Sequence, residues 1–203
     1  MCAAAASPTE WDSQVESPLL LECARGNHQA WRSLHFHYYP VAVGFLRKLG
    51  VREPDVEDAS QEVFLQMHRY LPQFRGNSQL KTWLYRLCIT QARHARRRRR
   101  LTEALRSWLS GTTETPPVSS ELSEDSARRR IEAALERLSE KERLALVLYE
   151  MEGLSGRQVA ETLRCTEATL WRRLHYARKK FIAAIEGTKA ERGEGRAEGK
   201  GLT

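Results

Sequence analysis

Apolar residues recur along this chain at spacings of three and four, and no segment sustains the alternation of a strand, so the pattern predicts helices throughout. Trp31, Leu34, Tyr38, Val41, Phe45 and Leu49 form one stripe, with Pro40 inside it as an expected kink or boundary and Gly50 as its stop. Asp55, after Pro54, reads as the N-cap of a helix whose inner face is Val56, Ala59, Val63, Met67 and Tyr70, ending before Pro72. After a polar loop from Gln73 to Ser78, Leu80, Trp83, Leu84, Leu87 and Cys88 face inward on a third helix that runs out into Arg96–Arg100. These elements predict one helical domain over residues 18–100, preceded by a disordered segment, 1–17.

Between residues 101 and 128 the chain changes character, with Gly111, Pro116, Pro117, many Ser and Thr, and four acidic residues from Glu114 to Asp125. That composition predicts a flexible linker. A second domain, 129–186, is expected to hold four helices. Ile131, Ala134, Leu135 and Leu138 line the first, and Ser139 with Glu142 forms a capping box for the next, which carries Leu144, Val147, Leu148 and Met151. Residues 187–203 are mainly Gly, Glu, Lys, Arg and Ala, with Leu202 the one large apolar side chain, and read as a disordered tail.

The end of the second domain carries the clearest functional signal. Ser155 and Gln158 make another capping box, a short helix follows, Arg164-Cys165-Thr166 breaks it, and a second helix starts at Glu167 under a Thr166 cap. Leu170, Leu174, Ala177 and Phe181 share its inward stripe, which leaves Glu167, Ala168, Trp171, Arg172, His175, Arg178 and Lys179 facing out. Two short helices in this order, with basic residues concentrated on the second, are the pattern of a DNA-binding helix-turn-helix. A lone helix of this kind would more often be a solvated charged face. The capped helix and tight turn before it shift the reading to DNA, with arginines able to grip phosphates or guanines and Glu167 able to accept from a cytosine amine.

Charge supports a polyanionic partner. The 203 residues include 33 Lys or Arg against 26 Asp or Glu, a net charge of +7. That excess is segregated, because Arg75 to Arg100 holds nine basic residues and no acid, whereas Ser107 to Ala127 holds no Lys or Arg. Within the basic stretch Arg75, Lys81, Arg86, Arg93 and Arg96 accompany Phe74, Trp83 and Tyr85, the mixture that single-stranded nucleic acid requires, and Gly76, Asn77 and Ser78 offer a bendable polar loop to a flipped base. Trp83 on its own would more often be core. On the preceding helix Asp58, Gln61, Glu62, Leu65 and Arg69 share an outward face, and an apolar Leu65 framed by polar groups is a candidate docking patch.

Other classes are disfavoured. Cys2, Cys23, Cys88 and Cys165 are scattered without zinc spacing, and the six His are dispersed. No Ser-His-Asp order or phosphate-cradling Gly-rich loop appears, so neither an enzyme nor a cofactor is expected. The first 17 residues lack a signal peptide's basic and apolar segments, and apolar runs such as Leu144–Tyr149 are too short for a bilayer. A soluble cytoplasmic protein without membrane insertion is the expectation.

Three stretches in the first domain, Asp55–Phe64, Phe74–Asn77 and Thr82–Leu87, resemble region two of bacterial RNA polymerase sigma factors of the extracytoplasmic-function type. Leu138–Arg143, Glu152–Ser155 and Leu174–Lys180 are similar to region four of the same family. The resemblance implies an all-α fold of two small helical domains joined by a flexible linker, acting as a dissociable promoter-specificity subunit. It implies core RNA polymerase, promoter DNA and an anti-sigma protein as partners. Asp58, Gln61, Glu62 and Leu65 would then meet polymerase. Arg75, Gly76, Asn77, Ser78, Lys81, Arg86, Arg93 and Arg96 would serve the minus-ten element. Thr166, Glu167, Ala168, Trp171, Arg172, Arg173, His175, Arg178 and Lys179 would serve the minus-thirty-five duplex. Two departures stand out: Arg164 where the family usually has Gly in the turn, and Trp171 where a small or basic residue is commoner. Trp171 is therefore expected to touch a thymine methyl or to be covered by another protein. The alternative is a helix-turn-helix repressor or activator that binds duplex operators without polymerase; a weaker one is an RNA-binding protein using the arginine run.

Overall fold

The computed structural model describes residues 13–74, 79–110 and 123–194, which form helices α1 (Ser13–Ala24), α2 (His28–Lys48), α3 (Asp55–Tyr70), α4 (Leu80–Ser110), α5 (Ser123–Glu136), α6 (Glu140–Leu146), α7 (Gly156–Leu163) and α8 (Glu167–Glu194). A 3-10 turn (Leu71–Gln73) follows α3, and a π-helical turn (Val147–Met151) follows α6. There is no strand among the described residues. Two compact units divide between Arg99 and Arg100.

In the first unit, Asn27 starts α2 by accepting from the backbone N–H groups of Gln29 (3.0 Å) and Ala30 (3.3 Å). Leu34, Tyr38, Ala42, Phe45 and Leu46 of α2 are buried, as are Val56, Ala59, Val63, Phe64 and Met67 of α3 and Leu80, Leu84, Tyr85, Cys88 and Ile89 of α4. Phe45 and Tyr85 meet at 4.3 Å between ring centroids, joining α2 to α4. Pro40 neither ends nor divides α2: it lies on the exposed face, where water can serve the carbonyl left without a donor. Asp55 proves to be the first residue of α3, with Pro54 at the cap and no side-chain capping bond, so its carboxylate acts through the helix dipole. Tyr70 is exposed, not internal; Phe64 fills the α3 stripe that the spacing had extended to it.

In the second unit, α8 packs against α5, α6 and α7. Ala134, Leu135, Leu138, Leu144, Val147, Leu148, Leu154, Val159, Ala160, Leu170, Leu174 and Ala177 are buried there, and Ile131, expected inside, is exposed. The Ser139–Glu142 and Ser155–Gln158 capping boxes both form. Arg143 is buried and spends its guanidinium on the end of α5, donating from Nε to the Leu135 carbonyl at 2.7 Å.

Two helices run further than the spacing indicates, and a third, α1, was not indicated by it. α1 begins at Ser13, inside the segment read as disordered; α4 continues through the arginine run to Ser110; α8 continues past Glu186 to Glu194. Ala, Glu, Lys and Arg are strong helix formers, so helical propensity carries the ends of α4 and α8 beyond the last apolar residue that core packing requires.

Candidate nucleic-acid interface

The joint between α7 and α8 is built from local rules. Ser155 accepts from Gln158 N–H (3.3 Å), and Gln158 Oε1 accepts from Ser155 N–H (2.9 Å). Thr162 returns its hydroxyl to the Gln158 carbonyl at 2.7 Å, within the helix. Arg164 takes the left-handed conformation (φ 49°, ψ 52°) that ends α7. Thr166 Oγ1 then accepts from Thr169 N–H (3.2 Å), capping α8. The joint is a helix-turn-helix, with Arg164 performing the turn usually given to glycine.

On α8 the inward stripe is Leu170, Leu174 and Ala177, all buried, with Phe181 half-buried. Glu167, Ala168, Trp171, Arg172, His175, Arg178 and Lys179 are exposed as expected, as is Thr166, while Arg173 is half-buried. Ala168, Arg172, His175 and Lys179 recur at spacings of three and four and so share the face opposite the core. That face carries no carboxylate from Ala168 to Lys179, about three turns. Tyr176, absent from the sequence-based set, is exposed at its edge and meets the His175 ring at 5.4 Å. Its position one residue after His175, off the basic spacing, is why charge alone did not single it out.

Both flanks of α8 are tied to the rest of the unit. Lys180 pairs with Glu142 at 2.7 Å. Burial pushes the Glu142 carboxyl up, but the Lys180 ammonium, the Ser139 hydroxyl and the Ser139 backbone N–H outweigh it and hold it below the ordinary carboxylate range. On the other flank Arg178 Nε donates to Glu150 at 2.7 Å. Trp171 stands edge-on to Tyr149, 5.3 Å between centroids, and its indole lies over Gly156, where a Cβ would come within 2.7 Å of Cζ2. The partial cover expected for Trp171 thus comes from its own chain.

In the first unit, Arg75, Gly76, Asn77 and Ser78 lie outside the described residues. Of the remaining minus-ten candidates, Arg86 and Arg93 are exposed seven residues apart on one face of α4, which Arg97 and Arg100 extend; Lys81 and Arg96 are half-buried. The Lys81 ammonium is 5.8 Å from the Tyr85 ring centre. Burial, and then the charge of Lys81, push the His37 imidazole below its ordinary value. Phe74 and Trp83 stack at 5.2 Å, both half-buried at the start of α4. Tyr85 is fully buried against Phe45 and is therefore core, not a platform for a base.

The outward face of α3 opens onto a groove of about 610 Å³ shared with α4. Asp58, Gln61, Glu62 and Leu65 line one wall; Gln91, His94 and Arg98 line the other. Leu65 is 65% exposed, a large apolar side chain ringed by polar ones. Among the described residues no cluster of His, Cys, Asp and Glu has the makings of a metal site, and no helix is long and apolar enough to cross a membrane.

The family description for sigma-70 region 2 matches residues 34–102, and that for sigma-70 region 4 matches residues 128–181. The chain belongs to the sigma-70 family, in its extracytoplasmic-function branch. It is similar to the RNA polymerase sigma-H factor of Pseudomonas aeruginosa, 28% identical over 183 residues, covering 85% of this chain and 95% of that one. The ECF RNA polymerase sigma-E factor of Haemophilus influenzae is 29% identical over 184 residues, covering 85% and 96%. Among solved structures, CnrH in complex with the cytosolic domain of CnrY superposes with a TM-score of 0.64 at 21% identity, covering 84% of this chain and 96% of that one. The sigma factor RpoE bound to the anti-sigma factor NepR, from Bartonella quintana, gives 0.63 at 20% identity over 76% and 96%. The fold of this sigma factor is therefore the all-α fold of both, and its function is promoter-specific transcription initiation with RNA polymerase.

Proposed function

We propose a residue-level division of labour for this sigma factor. The α3–α4 groove receives core polymerase through Asp58, Gln61, Glu62 and Leu65. The loop Arg75–Ser78 with Lys81, Arg86, Arg93 and Arg96 holds the opened minus-ten strand, and the α7–α8 joint sets α8 into the major groove of the minus-thirty-five duplex. The factor supplies binding energy and no covalent chemistry, works in the cytoplasm, and is held inactive by an anti-sigma protein, the class of partner seen with Bartonella RpoE.

The observation that carries this reading is the acid-free outward face of α8 from Ala168 to Lys179 on a capped helix-turn-helix, in a chain whose other unit presents its own stripe of arginines on α4. A duplex-only repressor has use for the first surface and none for the second. The test is to mix the full chain with purified bacterial core polymerase. Co-elution and transcription that depends on both components are expected; binding to duplex DNA with no association with core enzyme would favour the repressor.

A further inference from the structure

The π-helical turn after α6 places two side chains against the recognition helix. A regular α-helix through Val147–Met151 would bond each N–H four residues back, but here Glu152 N–H reaches the Val147 carbonyl (3.0 Å), one residue further. The added residue keeps Val147 and Leu148 in the core and brings Tyr149 and Glu150 to α8. There Tyr149 meets two residues seven apart on one flank: its ring stands edge-on to Trp171 and lies 5.8 Å from the Arg178 guanidinium carbon. Glu150 accepts a hydrogen bond from Arg178 Nε, and Gly156 leaves room on the other side for the indole.

The geometry points to a clamp: Tyr149 and Glu150 fix the rotation of α8 about its axis, and Trp171 and Arg178 are positioning residues, not readers of DNA. This rests on the reading that α8 enters the major groove, and it removes two residues from the set that the sequence nominates. Of the α8 residues that remain, Ala168, Arg172, His175 and Lys179, with Tyr176 beside them, lie on the face turned away from the clamp and are left to meet the bases. The apolar contact available to a thymine methyl passes from Trp171 to Tyr176.

Full-length variants binding a minus-thirty-five duplex and a panel of single-base-pair substitutions test this. Arg178→Gln and Glu150→Gln should each weaken binding by about 2- to 5-fold, the range of an exposed ion pair, and the double variant should be no weaker than either single one. The salt slope and the base preference at every position should stay as in the parent. Gly156→Ala, which in a helix ordinarily stabilises, should instead lower the thermal midpoint by pushing on the indole, and adding Trp171→Leu should restore the midpoint with base preferences intact. A salt slope lowered by about one unit in Arg178→Gln would make Arg178 a phosphate ligand and overturn the clamp. Lost preference at one base pair in the Gly156→Ala/Trp171→Leu variant would make Trp171 a reader and do the same. Arg172→Ala is the control: if it leaves duplex binding unchanged, α8 is not in the groove, and the functional reading fails before the clamp does.

Discussion

The backbone N–H of Cys165 donates to the carbonyl of Ala160 at 2.9 Å, a bond spanning five residues that closes α7 around Arg164. Together with Arg164 N–H to Glu161 (3.3 Å) it makes a Schellman end, whose left-handed residue is normally glycine. Arginine holds φ 49° there, a conformation that costs an L-residue about 1–2 kcal/mol. Arg164→Gly should therefore raise the stability of the second unit, by about 1 kcal/mol once the freer unfolded chain is counted. Urea unfolding of the full chain checks the sign; a lower midpoint would mean that the Arg164 side chain contributes more than its backbone costs.

The Glu142–Lys180 pair predicts a pH dependence. The Glu142 carboxyl is depressed in the folded state, so its contribution is present above the unfolded carboxylate value of about 4.3 and is lost as pH falls through the lower folded value. Glu142→Gln keeps the capping-box amide and removes the charge. Its stability deficit relative to the parent should be visible at pH 7, about 0.5–1 kcal/mol, and should close as the parent is acidified toward pH 3. A deficit constant across that range would assign the loss to packing.

At the α3–α4 groove, Asp58→Arg with Glu62→Arg should weaken association with core polymerase while duplex minus-thirty-five binding is retained. Both residues are exposed, so helix content should persist, with a cost of about 0.3–1 kcal/mol for a cation in the first turn of α3. Co-elution at parental affinity would remove this face from the docking surface.

Asn77→Ala with Ser78→Ala tests the segment proposed to capture the base. Polymerase binding and duplex recruitment should remain, and melting of a fully paired promoter should fail. A template pre-opened as a mismatched bubble should restore initiation, because the unpairing energy is then already supplied. Normal opening of the paired template by the variant would show that the segment does not capture the base.

The inner faces of α2 to α8 were legible because spacing of three and four reports core packing directly: Leu34, Phe45, Val63, Leu84, Leu148 and Leu174 all lie where that rule puts them, whereas α1 was not foreseen. The caps were legible for a similar reason, since Ser139, Ser155 and Thr166 act on residues three positions away. What eluded the spacing depends on non-local partners. Tyr85 has the same composition signal whether it stacks on a base or on Phe45, forty residues earlier. Nor does any periodicity announce the π-helical turn that brings Tyr149 to Trp171 and Glu150 to Arg178. The exposed Leu65 could be named in advance because its neighbours on α3 are all polar.

The central claim is that one chain both recruits polymerase and opens DNA. The most direct measurement is permanganate reactivity of thymines on a paired promoter, found by transcribing fragmented genomic DNA with the reconstituted holoenzyme. Reactive thymines just upstream of the start site, seen only when the chain and core polymerase are both present, are the expected result. Protection of duplex by the chain alone, with no thymine exposed when core enzyme is added, would contradict it.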